Sequence, residues 1–340
     1  MASTRVALRD VAEHAGVSVG AVSHYLNHPE RVAAATAERI GEAIDALGYV
    51  PNIAGRHLRR GVSDVIGFVA PDLSNPHFLE LSTSIEDVAQ ERGIRVFLAN
   101  SRGVTERENI YLSLFEEYKV RGIVIASHQP IEHRLAALRR RGTPTVLVGQ
   151  RAEAPEQMWV STDNIRGGEL IGRHLVESGR RRVVFVGGAA DVPQVADRLT
   201  GLRRALDGTA THLEVVSVDD RTVDVGSEVA TSILSRPESE RPDAVACAND
   251  LLALGFLRTT IARGVRVPEE LAITGYDDTV FAQASLVPLT SVGQDSPAVA
   301  SRAVAALLDG APESRFGQLT EPRLVLRESS VRQGSRRAAD

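Results

Sequence analysis

The chain contains a single cysteine, Cys247, among 340 residues. That excludes an internal disulfide framework and leads us to expect a reducing compartment. Lysine is just as scarce, since Lys119 is the only one and every other basic side chain of that class is arginine. A phosphate-cradling G-x-x-x-x-G-K-[ST] loop is excluded with it. Gly187-Gly188 follows a candidate strand but lacks the G-x-G-x-x-G of a dinucleotide site, and no candidate strand leads into a G-x-S-x-G elbow. Nine histidines offer one helical metal-pair spacing, His24 and His28, and the turn at Pro29 argues against it. No long apolar run opens the chain, so neither a leader peptide nor a membrane span is expected, and the cytoplasm is the expected location. These absences point away from an enzyme and from any cofactor or metal.

What is present reads as a soluble globular protein, with 43% hydrophobic and 24% charged residues. The length suits two or three units of roughly 100–200 residues. Net charge is −5, yet residues 1–60 carry seven arginines against six carboxylates. A weakly basic head therefore precedes an acidic body, which agrees with a small nucleic-acid contact without requiring one.

The stretch Leu8 to Asn27 organises the head. Leu8, Val11, Ala12 and Ala15 fall at i, i+3, i+4 and i+7, one face of a short helix. Gly16 breaks the pattern as a turn residue with positive φ would. Ser18 then caps a second helix carrying Val19, Val22, Ser23 and Leu26. This spacing fits a helix-turn-helix, whose second helix enters the DNA major groove, and equally an ordinary helical hairpin. A third helix is expected from Ala34 to Leu47, with Ile40, Ala43, Ile44 and Leu47 inward and Gly48 at its end. Pro51 to Leu58 reads as a short helix, marginal alone and weakened by Gly55, that orders only with a partner.

From Asp64 onward, apolar strands alternate with amphipathic helices. Candidate strands are Val65–Val69, Arg95–Leu98, Gly122–Ala126, Thr145–Val148, Arg182–Val186, Leu213–Ser217, Ala244–Cys247 and Leu271–Thr274. Candidate helices between them include Leu79–Glu91, Glu106–Tyr118, Ile131–Arg141, Gly168–Ser178 and Leu251–Arg263. The alternation predicts parallel sheets with helices on both faces, in two consecutive α/β lobes. A small ligand would bind in the cleft at the carboxyl ends of the strands.

In the head, the runs Leu8-Arg9-Asp10-Val11-Ala12, Ala15-Gly16-Val17-Ser18, Val22-Ser23, Leu26-Asn27 and Leu47-Gly48-Tyr49-Val50-Pro51-Asn52 carry a resemblance. Further on it continues in Asp72-Leu73-Ser74-Asn75-Pro76, Thr162-Asp163-Asn164, Ala248-Asn249-Asp250 and Gly275-Tyr276-Asp277-Asp278. From about residue 7 to about 330, the chain closely resembles the lactose/galactose repressor (LacI/GalR) family of bacterial transcriptional regulators. The resemblance implies an all-α helix-turn-helix headpiece (1–48), a hinge helix and linker (49–62), and a two-lobe effector-binding and dimerisation domain (63–331). The core would be two doubly wound parallel-sheet lobes like those of periplasmic binding proteins. The first lobe would span about 63–162 plus 294–320, and the second about 163–293 plus 321–331. Residues 332–340, polar and arginine-rich, are expected to be disordered.

By the same resemblance the protein is a homodimer that represses from a pseudo-palindromic operator and responds to a small ligand. Val19, Gly20 and His24 would face base edges, Ser18, Ser23 and Asn27 would lie near phosphates, Asn52 would contact DNA, and Leu58 would wedge into the minor groove. His24 stands where the family usually has arginine, so it can offer guanine one good hydrogen bond instead of a bidentate pair. Ala21 replaces a usual threonine, and Ala7 and Ala33 replace helix caps worth ~0.5–2 kcal/mol each. Asn75, Phe78, Gln150, Asp163, Arg198, Asn249 and Asp277 would line the effector cleft. Singly, Asp277 also reads as a turn residue, Asn249 as a helix cap and Arg198 as a surface ion-pair partner. Carboxylates, amides and a guanidinium suit hydroxyls. The region around Asp219–Val223 lacks the aromatic that some members of the resembled family stack on their ligand, so the resemblance favours a sugar or related polyol over a nucleobase. Two other readings remain, a solute-binding protein of the same core fold and a sensor that no longer reads DNA.

Overall fold

A computed structural model describes residues 6–50, 63–188, 192–310 and 317–331. The expected hinge helix with Asn52 and Leu58, and the tail 332–340, lie outside the described residues. The chain divides into two compact units, 1–62 and 63–340.

The first unit holds α1 (Leu8–Ala15), α2 (Val19–Asn27) and α3 (Ala34–Leu47). Gly16 and Gly48 end α1 and α3 in the left-handed conformation, φ 62° and 59°, where any side chain would be strained. Val11, Ala12, Ala15, Val22, Ile40 and Ala43 form the small core. Gly16-Val17-Ser18-Val19-Gly20 has G-x-S-x-G spacing, but it joins two helices instead of a strand and a helix. Ser18 Oγ there accepts the Ala21 N–H at 3.1 Å, a plain N-cap. The expected weakness at Ala7 is partly offset, because the Asp10 carboxylate accepts the Ala7 N–H at 2.8 Å. Ala33 has no such help, and its side chain makes no cap. Ala33→Ser should therefore stabilise the headpiece by about 1 kcal/mol. Thermal melting of the isolated first unit would show no gain if the cap were irrelevant.

The second unit begins with β1 (Val65–Ala70), α4 (Pro76–Glu91), β2 (Arg95–Asn100), α5 (Thr105–Glu117), β3 (Ile123–Ala126), α6 (Glu132–Arg140), β4 (Thr145–Val148) and β5 (Met158–Thr162). It continues with α7 (Asn164–Glu177), β6 (Arg182–Val186), α8 (Pro193–Leu206), β7 (His212–Val216), α9 (Val223–Leu234), β8 (Ala244–Cys247), α10 (Asp250–Ala262) and β9 (Ala272–Asp277). The final elements are α11 (Val280–Ala284), β10 (Thr290–Gly293), α12 (Ser296–Asp309), β11 (Gly317–Thr320) and β12 (Arg323–Val325). Two six-stranded sheets result, ordered β11-β5-β4-β3-β1-β2 and β12-β10-β9-β8-β6-β7. All pairings are parallel except β10 with β12. The chain passes between sheets after β5, after β10 and after β11.

Each sheet is covered on both faces, as its near-continuous apolar strands require. In the first, Ile66 and Phe68 pack with Leu81 and Ile85 of α4 and Val304 of α12. On the opposite face Val65 and Val69 meet Leu112 and Phe115 of α5 and Leu135 of α6. In the second, Leu175, Leu202, Ile233 and Phe256 from α7 to α10 close around β6, β8 and β9.

Four strands escape the sequence pattern. Among the described residues β11 and β12 each lie at one end of a sheet, and they carry few apolar residues (GQLT and RLV) because their side chains are mostly exposed or half-buried. β10 (TSVG) is buried yet small and polar, and β5 (MWVST) ends in hydroxyls. Tertiary pairing, not local propensity, makes these strands.

Candidate functional site

Between the two sheets of the second unit lies a cleft of about 420 Å³, with a deeper recess of about 60 Å³. Its walls are the segments following β1, β2, β3, β7 and β8, so it sits at the carboxyl ends of parallel strands.

Asn75 and Asn249 each begin a helix, and both place an amide at the cleft for that reason. Asn75 Oδ1 caps α4 by accepting the His77 N–H at 3.1 Å, while its Nδ2 donates to Asp277 Oδ2 at 3.4 Å, joining the lobes. Asn249 Oδ1 accepts the Leu252 N–H at 3.0 Å, and its Nδ2 donates to the Arg221 carbonyl at 3.1 Å. Capping and cleft lining are thus done by the same side chain.

Arg198 is buried rather than a surface ion-pair partner. Its Nε donates to Asn164 Oδ1 at 2.9 Å and one terminal nitrogen to the Ala248 carbonyl. The other terminal nitrogen stands 3.7 Å from Asp277 Oδ1. The guanidinium also lies over the Tyr276 ring, 3.6 Å from its centroid. Asp277 closes β9 with φ 106°, a left-handed conformation held by these partners and by Gln294, whose Nε2 donates to Oδ1 at 2.8 Å. The Phe78 ring lies between the imidazoles of His77 and His128, at 5.1 and 6.0 Å. Burial first, then the charges of Arg221 and Arg198, lower the His128 pKa to about 4, so His128 is neutral at pH 7.

The structure therefore brings Asn75, Phe78, Arg198, Asn249 and Asp277 to one cleft. Gln150 and Asp163 do not line it. Gln150 Nε2 donates to the Ser127 carbonyl at 3.2 Å, tying the end of β4 to that of β3. Asp163 Oδ1 accepts the Arg166 N–H at 3.0 Å and serves as the N-cap of α7 at the crossover. Arg102, His128, Arg221, Gln194 and Gln294 also line the cleft and were missed. They sit in loops or at a helix start, where no residue spacing marks them.

Behind Asp277, Asp250 is fully buried. Its carboxylate accepts from Thr279 N at 2.7 Å, Thr279 Oγ1 at 2.9 Å and Ser291 Oγ at 2.6 Å. Burial, then the charge of Asp277, push its pKa up to about 7 against those bonds. An unfolded aspartate titrates near ~3.9. The stabilising contribution is thus complete below that value and is lost as pH rises through about 7. Asp250→Asn, permanently neutral, should gain stability relative to the native protein between about pH 5 and pH 8. Melting temperatures that differ by a constant amount across that range would exclude this.

In the first unit, Ser18, the N-cap of α2, and Val19, Gly20 and His24 on α2 are exposed, with Val19 43% exposed, while Ser23 and Asn27 are half-buried. Asn27 Nδ2 donates to the Ser23 carbonyl at 2.7 Å. The His24 and His28 rings are 5.6 Å apart. Arg39 donates to the Gly16 carbonyl at 3.2 Å and satisfies the end of α1.

Comparison with known proteins matches both units. Residues 7–52 fit the family described as bacterial regulatory proteins, lacI family, and residues 173–330 fit a periplasmic binding protein-like domain. The HTH-type transcriptional regulator CelR of Thermobifida fusca is 33% identical over 332 residues, 95% of this chain and 96% of that protein. The chain belongs to the LacI family. Another relative, the transcriptional repressor PurR of Aliivibrio fischeri, is 30% identical over 329 residues, 95% of this chain and 97% of its own length. Among solved structures, the lac repressor dimer bound to operator and the anti-inducer ONPF is 25% identical, with a TM-score of 0.83 over 97% of this chain and all of that one. A CelR–cellobiose complex is 30% identical, with a TM-score of 0.70 over 96% of this chain and all of that one. As a LacI-family member the chain is a DNA-binding transcriptional regulator and not an enzyme. Among the described residues no helix is long and apolar enough to cross a membrane.

Proposed function

We propose that this LacI-family regulator is a cytoplasmic repressor whose operator affinity is set by a small sugar bound between the lobes. The observation that carries this reading is the floor of the cleft, where Asn75, Arg198 and Asp277 join the two lobes through groups that hydroxyls can engage or displace. The similar CelR structure, solved in complex with cellobiose, supports a sugar. The headpiece (1–48) reads the operator through α2, with Val19, Gly20 and His24 toward bases and Ser18, Ser23 and Asn27 toward phosphates. The hinge (49–62), with Asn52 and Leu58, completes the DNA contact. Asn75, Phe78, Arg198, Asn249 and Asp277 hold the ligand. Gln150 and Asp163 act indirectly, through the loops they fix.

A homodimer on a pseudo-palindromic site fits the edge of β2, which pairs only with β1 among the described residues; there Phe97 and Leu98 are 43% and 46% exposed, and Tyr118, whose ring lies 6.2 Å from that of Phe97, is 62% exposed. Ligand binding biases the arrangement of the lobes and so the ordering of the hinges on DNA, which makes ligand and operator affinities reciprocally coupled. The test is binding of purified protein to DNA flanking its own gene, at fixed salt, with and without a panel of sugars that includes cellobiose. A palindromic site whose occupancy one sugar changes is the expected outcome. A ligand-responsive core with no site tighter than nonspecific DNA would instead favour the sensor reading and mean that the altered recognition helix has lost its role.

A further inference from the structure

His77 has chemistry that the ligand reading leaves unused. It stands in the first turn of α4, beside the recess, and its Nε2 lies 3.3 Å from Gln294 Nε2. That same Gln294 nitrogen is 2.8 Å from Asp277 Oδ1. An ionised carboxylate only accepts, so the Gln294 atom facing it is the amide nitrogen, a donor with two protons. Its second proton points to His77, and His77 Nε2 must receive it with a lone pair. The imidazole proton is then on Nδ1. Burial lowers the His77 pKa, Arg198 adds to this and Asp277 opposes it, which agrees with a neutral ring.

The other side of the ring faces a second problem. His77 Nδ1 is buried and has no protein partner, and the same is true of Ser296 Oγ at the start of α12. Both residues line one interior cavity of about 20 Å³, together with Thr162, Leu81 and Val299. A buried water needs about 10–15 Å³ of such space and two to four polar partners. Two orphaned polar atoms on one cavity of that size meet the requirement, and a buried polar atom left without a partner is destabilising.

We propose that His77 is a positioning residue of the effector cleft, a neutral Nδ1–H imidazole that orients Asp277 through Gln294 and rests on an ordered water shared with Ser296. The relay runs from α4 of the first lobe, through the β10–α12 crossover, to the end of β9 in the second. The assignment rests on reading this cleft as the effector site, but its test needs no ligand.

The test uses the full-length protein labelled with ¹⁵N-histidine, with the His77 ring signals assigned by their loss in His77→Phe. Long-range ¹H–¹⁵N correlation at neutral pH should show a protonated Nδ1 and an unprotonated Nε2. Gln294→Met, which removes the donor but keeps the length, should move His77 toward the Nε2–H form that free imidazole favours. An Nε2–H or doubly protonated His77 in the native protein, or no change in Gln294→Met, overturns the relay. A crystal structure at high resolution supplies the second readout. Density for a water ~2.8 Å from both His77 Nδ1 and Ser296 Oγ is expected, and an empty or apolar-filled cavity overturns that part. Neither readout depends on sugar binding, so a failed sugar screen and a failed relay are separate results.

Discussion

Gly201→Val is expected to unfold the second lobe, with a loss of more than ~3 kcal/mol. A Cβ at position 201 would lie 1.9 Å from the Ile165 carbonyl oxygen, and one at Gly168 would lie 2.0 Å from that of Arg198. These glycines let α7 and α8 touch backbone to backbone, so no side chain can rotate away to relieve the clash. Overpacking a core usually costs ~1–3 kcal/mol because side chains share the strain. Here the helices themselves must separate, and Leu202, Leu206 and Leu175 lose contact with the sheet. The shift also drags Arg198, one turn earlier on α8. Urea unfolding of the full chain measures the loss. A midpoint within experimental error of the native protein would mean that the helices part without cost.

Arg198→Lys should lower effector affinity by roughly 100-fold, about 2.7 kcal/mol, while operator binding without effector persists. Charge is retained, so electrostatic attraction to Asp277 is not what fails. The guanidinium reaches Asn164, the Ala248 carbonyl and Asp277 at once and stacks on Tyr276. A lysine ammonium is a single point with no plane, and it cannot meet these directions together. Asn164 Oδ1 and the Ala248 carbonyl would be left buried with poorer partners, so the melting temperature should also fall by several degrees. Titration with the sugar that moves operator occupancy measures the first effect. Full response to that sugar would remove Arg198 from the ligand site.

Much of this protein is legible from periodicity. The three helices of the headpiece, the turn glycines 16 and 48 and the Ser18 cap depend on contacts a few residues apart, and those spacings are written locally. The same holds for the strands buried on both faces, whose apolar runs stand out against their loops. Motif resemblance then located Asn75, Asn249 and Asp277, because each has a local duty as cap or strand end as well as a place in the cleft.

Other features became visible only with the chain folded. Gln150 and Asp163 carry the right chemistry at the right strand ends, yet each is consumed by a nearby backbone group, the Ser127 carbonyl and the Arg166 N–H. Arg102, His128, Arg221 and Gln294 enter the cleft from loops far apart in sequence, where no spacing rule connects them. The outermost strands β11 and β12 exist because a neighbouring edge offers them hydrogen bonds. The chain by itself determined the family, the headpiece and the two-lobe plan, since local pattern and short motifs encode them. Which polar groups remain available to a ligand was decided only by tertiary structure, because a side chain's partners lie wherever the crossovers bring them.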